Sequence, residues 1–269
     1  MNDQPGTESR NPRAAGLGTA TTREILELMN DEDATVAAAV RRSLPEIARA
    51  VDAIVSGIAE GGHVHYVGAG TSGRLGVLDA SEAPPTFGVA AELFHGIIAG
   101  GDGALRSAVE GAEDSSDAGR ADIEVALRSH DIVVGISASG RAPYVLGALD
   151  AARERSLATI GITCVAESPL ARAAAVPIVV DVGPEVIAGS SRLKAGTATK
   201  LVLNMLSTAA MIRSGHTKGD LMIDVRATNE KLRARAIGIV RDELGVDESD
   251  ARARLEACGW SVRRAIAPR

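Results

Sequence analysis

Apolar positions recur along the chain with two different periods. Val36, Val40, Leu44, Ile47, Val51, Ile54 and Ile58 return every three or four residues. That spacing predicts one long amphipathic helix, capped by Asp33 and ended by Gly61-Gly62. A short helix is expected just before it, over 22–30. From residue 64 the pattern changes to brief Val- and Ile-rich runs, at 64–67, 93–98, 131–137, 158–163 and 178–181. Helical stretches fall between them, including 72–82, 119–129 and 141–155, and Pro84-Pro85 is expected to stop the first of these. Apolar strands alternating with helices predict a doubly wound α/β fold, a parallel five-stranded sheet covered on both faces. Such folds bind ligands at the carboxyl ends of their strands. Two longer helices are expected at 196–214 and 228–243, and two short ones in 247–267, broken near Gly259. Residues 1–20 are polar and aperiodic, and should lie extended or wrapped on a neighbour.

Composition narrows the function. Only five of 269 residues are aromatic (Tyr66, Phe87, Phe94, Tyr144 and Trp260). They are too few for a base-stacking platform or an extended stacking surface for sugars. A net charge of −6 disfavours nucleic acid as a partner. Cys164 and Cys258 are too few for a disulfide framework or a zinc site, and the five histidines have no metal-ligand spacing. No apolar run approaches the length of about 18 residues that a membrane span needs. The polar, acid-containing start does not read as a signal peptide. A cytoplasmic chain without membrane or nucleic-acid partners is expected.

Four motifs could carry chemistry. Gly68-Ala-Gly70-Thr-Ser-Gly73 follows a strand and opens a helix. It fits the dinucleotide fingerprint, but the acid expected about 20 residues on is not placed at a strand end. The same free N–H groups, with the Thr71 and Ser72 hydroxyls, suit a phosphate monoester. Ser137-Ala-Ser139-Gly140-Arg141-Ala142-Pro143 makes a second hydroxyl-rich helix start. Two such loops on one sheet favour a phosphorylated small molecule over a dinucleotide. Carboxylates form the third group: Asp79 and Glu82 on one helix face, and Glu110, Glu113 and Asp114 together. Carboxylates in clefts can be tuned as acid or base, but composition does not choose among the five. The fourth motif, residues 189–200, could bring a positive charge to a phosphate or oxyanion, and Lys194 is the cation we assign to it.

Residues 67–88 (VGAGTSGRLGVLDASEAPPTFG), 110–114 (EGAED), 137–144 (SASGRAPY), 189–211 and 224–232 (DVRATNEKL) resemble the N-acetylmuramic acid 6-phosphate etherase family. TESRNP (7–12) and NDEDATV (30–36) fit as well. The resemblance covers nearly the whole chain. It implies the sugar isomerase (SIS) fold, shared with the glucokinase regulatory protein. The expected organisation is an N-terminal arm and helices (1–60), a SIS sugar-phosphate domain (61–215), and a C-terminal helical region (216–269) that looks like a small ubiquitin-associated-type module.

The resemblance also implies an activity. A carbon–oxygen lyase of amino-sugar recycling would cleave the D-lactyl ether of N-acetylmuramic acid 6-phosphate without a cofactor or metal. Glu82 would be the acid on the ether oxygen and Glu113 the second catalytic residue, the base. Ser72, Ser137 and Ser139 would hold the phosphate, with Thr71 and Gly140 nearby. Ala142 stands where the family commonly has Thr, leaving one hydroxyl fewer. A homodimer with sites near the interface is expected. A non-catalytic phosphosugar-binding regulator would use the serine loops without needing Glu82 and Glu113. Tyr66, Phe87 and Tyr144 flank these segments and are expected to wall the cleft.

Overall fold

The Val- and Ile-rich runs form five parallel strands: β1 (Val64–Gly68), β2 (Phe94–Ile98), β3 (Ile132–Ile136), β4 (Ala158–Thr163) and β5 (Val176–Val179). These come from a computed structural model that describes residues 8–267; Thr7 and the start of the polar arm lie outside them. β5 begins two residues earlier than its sequence suggests. It is an edge strand, where Pro177 has no ladder partner to disappoint on its open side.

Strand order is β2-β1-β3-β4-β5. The chain therefore leaves β1 on one side for β2 and returns on the other side for β3. The crevice outside the carboxyl ends of β1 and β3 is the topological switch point.

The helical spacing of residues 36–58 is real, but the chain breaks it into pieces. α1 (Thr22–Asp33) opens with a Thr21/Glu24 capping box and runs through Asp33, which caps nothing. α2 (Val36–Arg42) and α3 (Leu44–Ala59) follow, parted at Ser43. Pro45 explains the break: it lacks the N–H needed to continue α2, yet suits the first turn of α3. The Ser43 hydroxyl donates to Val179 O at 2.6 Å and fixes the corner to β5.

α4 (Gly70–Phe87) departs from expectation in the opposite sense, running on through Pro84-Pro85. The prolines fall in its last turn, Phe87 beyond them is buried, and Gly88 closes the helix at φ 67 by donating to Pro84 O. α5 (Gly103–Arg106) and a 3₁₀ turn (Ala112–Asp114) lead to α6 (Ser116–Glu124), then α7 (Pro143–Glu154), α8 (Pro169–Ala173) and α9 (Lys194–Arg213).

Alternate side chains on the strands serve two cores. Val64, Tyr66, Ile132, Val134, Ile160 and Ile178 pack beneath α3, α4 and α9. Val67 and Val133 pack beneath α6, α7 and α8. Aliphatic residues and alanine supply nearly all of both. α10 (Glu230–Leu244), α11 (Glu248–Ala257) and α12 (Val262–Ala265) gather a separate cluster around Ile237, Val240, Leu255 and Val262. Among the described residues no helix is long and apolar enough to cross a membrane.

Candidate active site at the carboxyl ends of β1 and β3

β1 ends at Gly68 and the chain turns at once into α4, with Gly70 at φ 51. Gly68 and Gly73 let helix and strand meet. A Cβ on Gly68 would lie 2.6 Å from Gly73 N, and one on Gly73 would lie 2.6 Å from Gly68 O. Ala69 at the N-cap offers no side-chain acceptor, so the first N–H groups of α4 are left for a ligand or water.

The loop after β3 is built alike. Gly140 turns at φ 66 with its N–H on Ser137 O at 2.9 Å, and Pro143 opens α7. A Cβ on Gly140 would lie 2.3 Å from Ser168 Oγ, so this residue shapes the loop from behind.

A cavity of about 250 Å³ lies between these two loops, at the switch point. Thr71 and Ser72 line it from the first loop, Ser137 and Ser139 from the second, and Glu113 from the 3₁₀ turn. Gly189 and Ser191 close it from the connection between β5 and α9. Among the described residues no lysine, arginine or histidine lines it. Its polar groups are hydroxyls, backbone amides and carboxylates. Among the described residues no three His, Cys, Asp or Glu side chains are placed to hold a metal ion.

Five of the eight site residues expected from sequence thus meet in one cavity, and three do not. Gly140 stands behind the loop. Lys194 is 3% exposed, and its Nζ lies 2.6 Å from Glu32 Oε2 rather than in the cavity. Glu82 is exposed on α4, ten residues beyond Ser72. At helical rise that is about 15 Å along the axis. Of the other carboxylates, Asp79 is buried; burial pushes its carboxyl up, while Asn204 Nδ2 at 2.6 Å and Ser207 Oγ at 3.2 Å hold it. Glu110 and Asp114 are exposed and do not line the cavity. The aromatic residues do not wall it either. Tyr66 and Phe87 lie in one core and Tyr144 in the other, because the cleft is made of backbone and short side chains while the aromatics fill space beneath the helices.

Two further carboxylates stand at this end of the sheet, Glu185 outside every sequence motif and Glu8 inside one. Glu185 is fully buried and caps α9, accepting Lys194 N and Ala195 N at 3.0 Å each. Glu8, from the N-terminal arm, lines the cavity itself. It stands in the TESRNP segment, for which the family resemblance implies no role.

Known proteins share this arrangement. The family model of the glucokinase regulatory protein N-terminal SIS domain matches residues 46–153, and that of the SIS domain matches 112–209. Among solved structures, an Escherichia coli CFT073 protein in complex with A5P aligns with TM-score 0.53 at 17% identity, over 75% of this chain and 97% of its own. A Francisella tularensis phosphoheptose isomerase aligns with TM-score 0.53 at 20% identity, over 71% and 98%. At those identities the likeness establishes the fold, and the chain has the SIS fold. Sequence relatives go further. The N-acetylmuramic acid 6-phosphate etherase of Vibrio vulnificus (strain YJ016) is 53% identical over 97% of this chain and 87% of its own length. That of Salmonella paratyphi A is 49% identical over 97% and 88%. With half of its residues shared across almost its full length, the chain belongs to the N-acetylmuramic acid 6-phosphate etherase family.

Proposed function

We propose that this protein cleaves the D-lactyl ether of N-acetylmuramic acid 6-phosphate, giving N-acetylglucosamine 6-phosphate and D-lactate. One observation carries the reading: a cavity that joins two hydroxyl-rich helix starts to the turn bearing Glu113, in a chain of this family. Ser72, Ser137 and Ser139, with Thr71 and the first N–H groups of α4, hold the phosphate. Gly140 sets the shape of the second loop.

The chemistry is a carbon–oxygen lyase reaction followed by hydration. In the open-chain sugar the C1 aldehyde acidifies the C2 proton, and Glu113 removes it. The electron pair forms the C2–C3 double bond as the C3–oxygen bond breaks. An acid protonates the departing oxygen, which leaves as the hydroxyl of lactate. Water then adds, its hydroxyl to C3 and its proton to C2. The base must start ionised and the acid protonated.

Glu82 is the acid in this scheme, and its distance from the cavity on its own chain calls for a second subunit. α4 and α9 pack side by side on one face of the sheet. Their outward sides carry Leu78, Met205 and Ile212, which are 52%, 36% and 48% exposed, with Glu82 one turn from Leu78. We infer a homodimer through this surface, in which Glu82 of each subunit enters the cavity of the other. The proposal includes a cytoplasmic setting, where the free thiols of Cys164 and Cys258 stay reduced.

The test is to incubate the protein with N-acetylmuramic acid 6-phosphate and assay D-lactate and N-acetylglucosamine 6-phosphate. Equal amounts of both are expected. Absence of lactate from folded protein would overturn the reading. It would favour instead a non-catalytic phosphosugar-binding regulator, the alternative suggested by the match to the glucokinase regulatory protein domain.

A further inference from the structure

Glu8 is a carboxylate that the reaction scheme leaves unused, yet it lines the same cavity as Glu113 and the three serines. Its position is built. Three residues downstream, Asn11 is buried, and its Nδ2 donates to Pro184 O at 3.3 Å while its Oδ1 accepts Arg13 N at 2.9 Å. Arg13 then clasps Asp31 at 2.8 Å and Glu32 at 2.9 Å. Glu32 is held in turn by buried Lys194 at the start of α9. Pro184 lies on the same connection that brings Gly189 and Ser191 to the cavity, so the arm is pinned to the wall it helps to form. Gly189 makes room for it: at φ 76, a Cβ there would lie 2.9 Å from Glu8 Oε2.

The chemistry of the cavity narrows what Glu8 can hold. An ionised carboxylate only accepts hydrogen bonds. The phosphate and the lactyl carboxylate of the substrate also only accept, and they repel it. What remains are the sugar's own donors. Glu113 is committed to the C2 proton. The acetamido N–H sits on C2, beside the carbon that Glu113 attacks, so the hydroxyls on C4 and C5 of the open chain, between the phosphorylated carbon and the reacting carbons, are the donors that fall to Glu8. We propose that Glu8 is a specificity-determining residue that accepts hydrogen bonds from these sugar hydroxyls, delivered to the cavity by an N-terminal strap that Asn11 and the Arg13–Glu32–Lys194 network hold down.

This inference rests on the phosphosugar part of the proposed function, and its test reads binding apart from turnover. Calorimetric titrations with N-acetylglucosamine 6-phosphate and with inorganic phosphate are compared in the full chain and in Glu8→Gln, Glu8→Ala and Glu8→Asp. Loss of a charge-assisted bond weakens sugar phosphate binding by about tenfold in Glu8→Gln and Glu8→Ala. Binding of inorganic phosphate stays level or tightens, because a nearby negative charge has gone. Glu8→Asp recovers part of the loss. In turnover, KM rises with little change in kcat. Unchanged sugar phosphate binding in both Glu8→Gln and Glu8→Ala would overturn the proposal, and so would an equal loss of inorganic phosphate, which would mark the arm as packing alone. Wild-type protein that binds the sugar phosphate through Glu8 but releases no lactate would instead defeat the etherase reading and leave this one standing.

Discussion

Lys194 Nζ and Glu32 Oε2 lie 2.6 Å apart, 3% and 9% exposed at the side chain, and are separated by 162 residues of chain. Burial alone would push the Glu32 carboxyl up, but Lys194, Asn11 and Arg13 hold it below the usual carboxylate range. A buried pair of this kind is costly to break from one side, because the remaining charge stays desolvated.

Lys194→Met should therefore act on stability. Removing one partner of a buried pair costs about 3 kcal/mol. Urea denaturation should show the midpoint falling with little change in slope. Inorganic phosphate affinity, read on the fraction still folded, should change little. A stable variant that has lost phosphate binding would return Lys194 to the cavity.

Gly73→Ala tests the glycine motif. A Cβ here would lie 2.6 Å from both Gly68 O and Ile98 Cγ1, so the first turn of α4 must move off the end of β1. That turn carries Thr71 and Ser72 and the open N–H groups. Phosphosugar affinity should fall by about tenfold or more, as hydrogen bonds to a charged group are misaligned. Binding titrations check it, and affinity equal to wild type would mean that the loop tolerates the shift.

Local rules made most of this legible. The five strands could be read because Val and Ile runs alternate with helical stretches. That Ser72, Ser137 and Ser139 line one cavity could be read because both loops put hydroxyls at a helix start. Two helix boundaries depart from the sequence pattern at prolines whose effect depends on context. Pro45 breaks a helix that periodicity alone would continue, while Pro84-Pro85 are absorbed in a last turn because Phe87 beyond them is buried. What could not be read is pairing over long separations. Glu32 with Lys194, and Asn11 with Pro184 across 173 residues, leave no local pattern. For the same reason the motif holding Glu8 could be seen but not placed.

The other end of the sheet should set a pH dependence of stability. Asp131 accepts His63 N at 2.8 Å, Arg128 N at 2.7 Å and His65 Nε2 at 2.8 Å. Burial pushes the His65 imidazole down, against the opposing pull of Asp131, and the net shift is downward. A histidine depressed in the folded state binds its proton later than in the unfolded chain. The unfolded chain gains protons first as pH falls below about 6.5, so stability is full above that value and declines beneath it. Urea midpoints at pH 7.5 and 5.5 should reveal the decline, and His65→Gln should reduce it. A midpoint that rises on acidification would contradict the sign.

The sharpest test of the site concerns Glu82 and Glu113, which sit on one chain but not in one cavity. Glu82→Gln and Glu113→Gln should each bind N-acetylglucosamine 6-phosphate and each lose turnover, since they keep size and hydrogen-bonding capacity but not acid–base function. Mixing the two inactive variants then separates the geometries. If each site takes Glu82 from one subunit and Glu113 from the other, a mixed dimer contains one site with both glutamates intact and one with neither. With random exchange, half the dimers are mixed, so activity should recover to about one quarter of wild type. If both residues came from the same chain, every site in every dimer would lack one of them and mixing would restore nothing. D-lactate release after subunit exchange reads the difference directly. Recovery would place the Leu78–Met205–Ile212 surface at the dimer interface, because that surface carries Glu82. No recovery from exchanged dimers would require α4 to bring Glu82 to its own cavity, a movement of about ten helical rises that the packing of α4 against β1 and α9 opposes.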